Sequence, residues 1–350
     1  MRVVDVTLFY GKRSGGIRTY LEAKAGYAAS SGAFEHHLVI PTEQRSLRIV
    51  SSNGYRVPLG PAGLGPTLRE LSPDVVLLHD PYWTPRLATR VAHEVGASVV
   101  AVHHSSAALH AAGLPGPDGI YARALGRWYR RAYRDVDAIM TVVDPEVDVA
   151  GVRLLPLRLG VDPAFHPRLE IPRGDHVLYV GRLAREKGLR ELLEAASGAP
   201  EPWPLHLVGA GPAEDCLRDR ARQLGLADRL SLRPFLASRQ DLAEAYAGAR
   251  CVVLPGAHET FGLVALEAAA CGVPVVTART TPSSRLLGRL GGTFVAGDPV
   301  DLTRAITRAR GLKRDPELGW ELARDHAWDA ALSAELRELQ SFVGAARACA

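Results

Sequence analysis

The sequence predicts an α/β protein built from two doubly wound, Rossmann-like parallel-sheet domains facing each other across a cleft. Three observations carry that prediction. Short apolar runs alternate with longer helical patterns from end to end, the runs lack the every-second-residue polar break of a half-exposed strand, and a single proline-rich passage interrupts an alternation that then restarts. Strands covered on both faces read this way, and the helices between them supply the crossovers of a parallel sheet.

In the first half the strands are VVDVTLF (3–9), HHLVI (36–40), DVVLLH (74–79), SVVAVH (98–103) and DAIMTVV (137–143), with helices around Ile17–Ser30, Pro85–Val95 and Tyr121–Tyr133. In LLPLRLGVDPAFHPRLEIPRGD, Pro156, Pro163, Pro167 and Pro172 stand too close together for a helix, and the interdomain linker is placed there. The pattern then resumes as HVLYVG, a helix from Gly188, LHLVG, a helix from Ala213, RLSL, a helix from Arg239, CVVLP, an apolar helix, VPVVT and TFVAG. The tail beyond Asp298 reads as helical, broken near Pro316 and Trp328. Expected domains are 1–165 and 166–325, with 326–350 a helix packing back on the first. Ligands of such sheets sit outside the carboxyl ends of the strands, so the site is expected in the cleft.

A chain of 350 residues can bury two cores, and a formal charge of +4 is too small to make nucleic acid the main partner. Cys216, Cys251, Cys271 and Cys349 show no CxxC spacing and no nearby histidines, so they read as buried or incidental thiols and no metal site is expected. No signal-like start or long apolar run is visible, and a cytoplasmic protein is expected, with the inner membrane face as a peripheral location. YARALGRWYRRAYR (121–134) sets five arginines among aromatics. It reads either as an anionic-membrane contact or as a solvated helix whose Tyr and Trp pack inward.

Four stretches carry chemistry. The first βα turn, YGKRSGG, puts Lys12, Arg13, Gly15 and Gly16 before a helix, which suits a phosphate but equally a tight basic turn. VGRLAREKG places Arg182 at a strand end and Lys187 before a helix as phosphate ligands, with Arg185 and Glu186 as surface charges. LVGAGPAED has GxG after a strand but Glu214 where the dinucleotide fingerprint wants a small residue, so it reads as a structural turn. In HETFGLVALEAAACGVPVV an apolar helix holds Glu267, eight residues after Glu259. If Thr260, Phe261 and Gly262 open that helix, Glu259 lies at its mouth with Glu267 two turns down, and vicinal hydroxyls of a sugar or ribose satisfy such acids without a cation. Two acids paired with arginines would be the structural alternative.

Glu259 to Glu267 resembles the E-x7-E motif of glycosyltransferase family 4, retaining enzymes of the GT-B fold. The resemblance extends over nearly the whole chain, through SGGIRTY, VVAVHHS, LGVDPAFHP, YVGRLAREKG, LVGAGP and ALEAAACGVPVV. It implies that Glu267 grips the ribose hydroxyls of a nucleoside diphosphate sugar and that Glu259 orients the transferred sugar. Arg182, Lys187, Gly15, Gly16 and the amides of Phe261, Gly262 and Leu263 would hold the diphosphate, and Leu236 would meet the base through its backbone. The histidine that reaches the reacting sugar aligns with His104 or with His103, His104 being preferred. Asp144 and Pro145 stand where the family often has serine, a departure on the acceptor side. The implied activity is metal-independent, retaining transfer from a nucleoside diphosphate sugar to a saccharide, lipid or small-molecule hydroxyl, with no cofactor. The alternatives are a non-catalytic sugar-nucleotide-binding protein on the same fold and an NAD-linked oxidoreductase, the latter disfavoured by the broken fingerprint.

Overall fold

The computed structural model describes residues 1–11, 15–42, 46–48, 56–61, 63–104, 106–114, 116–142 and 149–349. Lys12 to Ser14 of the first turn, and Asp144 with Pro145, lie outside the described residues. The chain divides into two units, one built on 1–111, 116–160 and 328–350, the other on 112–115 and 161–327.

The first unit holds a six-stranded sheet in the order β2-β1-β5-β6-β7-β8. Its strands are β1 (Arg2–Val6), β2 (Glu35–Val39), β5 (Val75–Leu78), β6 (Ser98–His103), β7 (Ala138–Thr141) and β8 (Arg153–Pro156), all paired in parallel. Every residue of β5 and β6 is buried, which is why these runs are apolar without alternation. A short antiparallel pair, β3 (Ser46–Arg48) with β4 (Arg56–Pro58), stands apart from this sheet. Helices α1 (Gly16–Ser31), α2 (Leu64–Leu71), α3 (Pro85–Glu94), α4 (Ala107–Ala112) and α5 (Asp118–Ala132) complete the crossovers.

Part of the passage read as linker is strand. Leu154 to Pro156 lie in β8, at the edge of the sheet, where the missing amide of a terminal proline leaves no ladder bond unmade. The sequence also shows no sign of β3, β4, α2 or α4, which are too short or too mixed in polarity to stand out.

The last helix, α12 (Trp328–Cys349), belongs to the first unit. Trp328, Leu332, Leu336, Leu339, Phe342 and Val343 enter the cluster that also holds Tyr20, Leu21 and Val100. Each such side chain contributes about 1.5–3 kcal/mol relative to exposure, so this face anchors the helix. The approach is close: a Cβ on Gly160 would lie 2.7 Å from the Trp328 Cα.

The second unit repeats the architecture in the order β11-β10-β9-β12-β13-β14. Its strands are β9 (Val177–Val180), β10 (Leu205–Val208), β11 (Leu230–Arg233), β12 (Cys251–Leu254), β13 (Val275–Ala278) and β14 (Gly291–Phe294). Helices α6 (Leu189–Ser197), α7 (Glu214–Gln223), α8 (Arg239–Gly248) and α9 (Leu263–Ala270) intervene, followed by α10 (Pro299–Gly311) and α11 (Pro316–Asp325). Ser238, Asp298 and Asp315 cap α8, α10 and α11 through their side chains, and proline opens the last two, as helix starts favour. Cys251 and Cys271 are buried free thiols, whereas Cys216 is exposed because it falls on the outer face of α7; the side chain of Cys349 lies outside those described.

Candidate active site

In the second unit the predicted donor residues gather where β9 and β12, neighbours in the sheet, end. Glycines make this convergence possible. Gly188 sits at φ 66°, and a Cβ there would stand 2.4 Å from the Pro255 carbonyl oxygen. The loop after β9 therefore lies directly on the loop after β12, and Lys187, closing the 3-10 turn Arg185–Lys187, reaches Glu259 with Nζ 2.8 Å from Oε1. Both side chains are mostly shielded, at 20% and 16% exposure, so the pair is stronger than an open surface bridge yet reachable by a ligand.

Arg182 is not part of that pair. Its guanidinium is 44% exposed and bonds the Glu186 carboxylate, whose side chain is only 4% exposed. Glu186 is thus not the surface charge the sequence suggests: the 3-10 turn rotates it inward beneath Arg182. Tyr179 donates to the Arg182 carbonyl at 2.8 Å, fixing the backbone of the same turn. A Cβ on Gly209 would lie 1.9 Å from the Gly181 oxygen, and one on Gly211 2.2 Å from that of Leu183. The GxG after β10 is therefore a contact between two loop backbones.

Helix α9 begins at Leu263, three residues later than an opening at Thr260, with Gly262 in the left-handed region at φ 87°. The Ser283 amide donates to the Phe261 carbonyl at 2.9 Å and the Ser283 hydroxyl to that of Gly262 at 3.1 Å, which pins the entry to the helix. The first amides of a helix lack intrahelical partners and carry its positive dipole end, so the Leu263 end suits a phosphate. Glu267 stands little more than one turn into α9, not two, because Thr260 to Gly262 are not helical.

Glu267 is 6% exposed and accepts a 2.9 Å hydrogen bond from the Tyr246 hydroxyl on Oε2. Among the described residues no side chain donates to Oε1 and no arginine bridges it. Burial raises its pKa above the ordinary carboxyl value, only partly offset by the charge of Arg239 and the Tyr246 bond. Leu236 is half-buried, packed on the core cluster of β12 and α9. Among the described residues no group of three or more His, Cys, Asp or Glu is placed to hold a metal ion.

In the first unit, Gly15 and Gly16 lie exposed at the start of α1, and a Cβ on Gly15 would meet nothing within 4 Å. His104 follows β6 with its Nε2 2.6 Å from the His79 Nδ1. His103, the last residue of β6, is 6% exposed with Nε2 unpartnered, and burial lowers its pKa to about 4. Both line a small cavity with Phe9, Ile17, His110 and Tyr129. On α5, Tyr129 points inward, but Trp128 is 46% exposed, its indole N–H held by the Pro81 carbonyl at 3.1 Å. The inward packing expected of that tryptophan is therefore not observed.

The sequence profile described as glycosyl transferases group 1 matches residues 163–314. The D-inositol 3-phosphate glycosyltransferase of Nocardiopsis dassonvillei is 31% identical over 297 residues, covering 72% of this chain and 69% of that protein. The chain belongs to the group 1 glycosyltransferases of family 4. This glycosyltransferase is also 29% identical, over 342 residues and 87% of each chain, to the GDP-mannose-dependent alpha-(1-6)-phosphatidylinositol dimannoside mannosyltransferase of Mycobacterium tuberculosis. Its fold is GT-B: the sucrose-phosphate synthase of Thermosynechococcus elongatus superposes with a TM-score of 0.79 at 18% identity over 99% of this chain and 100% of the other. Anabaena HepE, solved with UDP and glucose, superposes with a TM-score of 0.73 at 16% identity over 97% and 99%. Among the described residues of this glycosyltransferase no helix is long and apolar enough to cross a membrane.

Proposed function

We propose that this glycosyltransferase moves a hexosyl group from a nucleoside diphosphate sugar to an acceptor hydroxyl with retention of anomeric configuration and without a metal ion. The observation that carries the reading is the Lys187–Glu259 pair beside the start of α9, with the half-satisfied carboxylate of Glu267 a turn further on. Glu267 accepts ribose hydroxyls on Oε1, Glu259 orients hydroxyls of the transferred sugar, and His104, as the family resemblance implies, meets that sugar. As the glycosidic bond breaks, charge grows on the departing diphosphate. Lys187, Arg182 and the α9 amides meet that charge more strongly in the transition state than before it, the condition for catalysis. The acceptor attacks on the face the leaving group vacates, and a phosphate oxygen takes its proton, so no separate carboxylate base is needed.

The test is a thermal-shift panel of nucleoside diphosphates and their sugars, followed by product analysis. A donor at a hundred times its dissociation constant should stabilise the chain by about 2.7 kcal/mol. GDP-mannose heads the donors and inositol-containing compounds the acceptors, after the names of the relatives. Absence of any nucleotide shift, or a product of inverted anomeric configuration, would overturn the reading. The exposed arginines of α5 beside Trp128 give the same enzyme a peripheral contact with anionic lipid. Failure to sediment with phosphatidylglycerol vesicles at low salt would exclude that contact.

A further inference from the structure

A buried network in the first unit has no part in donor chemistry as described above. Asp5, on β1, is fully buried and accepts from His36 Nε2 at 2.7 Å and Lys24 Nζ at 3.3 Å, and its other close partner is His79 Nε2. Lys24 is shared with Glu335 of α12 at 2.8 Å, and the Tyr20 hydroxyl donates to Glu335 at 2.6 Å. Burial opposes ionisation of Asp5, yet Lys24, His79 and the two histidine hydrogen bonds together hold it well below the usual carboxylate range. Asp5 is therefore a carboxylate, able only to accept.

That fact orders the protons along the chain of rings. The His79 nitrogen facing Asp5, Nε2, must carry hydrogen. In a neutral ring its Nδ1 is then a lone pair, and this Nδ1 lies 2.6 Å from His104 Nε2. The hydrogen between them therefore sits on His104 Nε2, because the hydrogen bond at one ring nitrogen decides what the other can do. The two rings stack with centroids 4.9 Å apart and planes 17° apart, and the Tyr20 ring flanks His104 at 5.8 Å, so its orientation is fixed as well. Burial first, then His79, His103 and Lys24, push His104 well below the usual imidazole range against the pull of Asp5, which leaves the ring neutral near pH 7.

We propose that Asp5 and His79 are positioning residues that hold His104 as its Nε2–H tautomer, so that Nδ1 offers a lone pair to a hydroxyl of the transferred sugar. The proposal rests on the reading that His104 meets that sugar. It assigns work to two residues that the family motif does not contain, and it links α12 to the site through Glu335 and Lys24.

The tautomer can be read without substrate. In the full-length chain labelled with 15N-histidine, long-range 1H–15N correlation at pH 7.5 should show His104 protonated on Nε2 and unprotonated on Nδ1. Asp5→Asn should mix the two tautomers of His104, and His79→Phe, which keeps a ring but no nitrogen, should do the same. Folded variants should lose about ten-fold or more in kcat, within the range of a mispositioned acid–base partner, while KM for the donor stays within two-fold. His104 protonated on Nδ1 in the wild-type chain would overturn the proposal, as would wild-type kcat in a folded His79→Phe. Should Asp5→Asn fail to fold, the wild-type spectrum and His79→Phe still decide. Failure of the transfer reading shows differently, as a wild-type chain inactive with every donor.

Discussion

Glu267→Gln should weaken the substrate complex and strengthen the free protein, two effects of one buried charge. Gln is nearly isosteric and can still accept the Tyr246 hydrogen bond, 2.9 Å long in the wild type. What it loses is the charge behind the bonds to ribose hydroxyls that the proposed role assigns to Oε1. A hydrogen bond to a charged group is worth about 1.5–3 kcal/mol and one between neutral groups about 0.5–1.5, so two such bonds lose about 2–3 kcal/mol. That is a fall in nucleoside diphosphate affinity of about 30- to 150-fold. The stability effect has the opposite sign. Because burial raises the folded pKa of Glu267 above 4.5, the folded chain holds this proton more tightly than the unfolded chain. The side chain's contribution to stability is thus fully present below the ordinary carboxyl range and lost as pH rises through the folded value. At pH 7–8 the ionised carboxylate costs stability that Gln does not, so the variant should melt higher there, and the gap should close as pH falls below about 4.5. Calorimetric titration with nucleoside diphosphates and thermal melts from pH 4 to 8 measure both. Unchanged affinity would remove Glu267 from the donor site; a lower Tm at neutral pH would refute the electrostatic account of its burial.

The remaining predictions concern the loops around it. Lys187→Ala and Arg182→Ala should each lower kcat/KM by about 2–4 kcal/mol, the loss of one electrostatic stabiliser, and near-wild-type turnover of either would exclude that residue from the role. Combining Lys187→Ala with Glu259→Gln should cost less than the sum of the two, since they share one 2.8 Å contact; strict additivity in nucleotide-release kinetics would contradict the pairing. Gly209→Ala should unfold at clearly lower urea, because its Cβ would lie 1.9 Å from a backbone oxygen and its φ of 153° belongs to glycine, a strain of about 1–3 kcal/mol before the clash is counted. Activity should survive EDTA, and a rate restored only by added divalent metal would refute the metal-free mechanism.

Much of this architecture is readable because a parallel sheet writes itself locally. Ser98–His103 coincides with the predicted strand, and the helices expected at Ile17–Ser30 and Pro85–Val95 differ from α1 and α3 by a residue at one or both ends. Apolar runs and helical periods are properties of neighbouring residues, and so survive without any knowledge of contacts. β8 escaped because Pro156 and the prolines that follow it outweighed its two leucines, a conflict that edge position resolves only in three dimensions. Within the site, Lys187 and Glu259 could be named, but not that they touch, since 72 residues separate them. Tyr246, Glu186 and the Asp5–His79 pair were missed for the same reason. For Asp5 a signal was present: an acid inside an otherwise apolar strand, the same kind of anomaly that singled out Glu267.

Glycine is the residue most easily over-read in this chain, and the structure separates its two uses. Gly188 against Pro255, Gly209 against Gly181, and Gly262 against Ser283 all stand where a Cβ would overlap a neighbouring loop. Their presence follows from packing the strand-end loops of one sheet against each other, whatever the ligand. A glycine pattern at strand ends therefore cannot by itself distinguish a dinucleotide from a sugar nucleotide. The charged groups those contacts deliver can. A lysine–glutamate pair and a carboxylate with one oxygen left open have the chemistry the proposed function needs, a cation to oppose a diphosphate and acceptors for hydroxyls. Replacing the acids while leaving every glycine in place should thus abolish selectivity for sugar nucleotides without moving a loop.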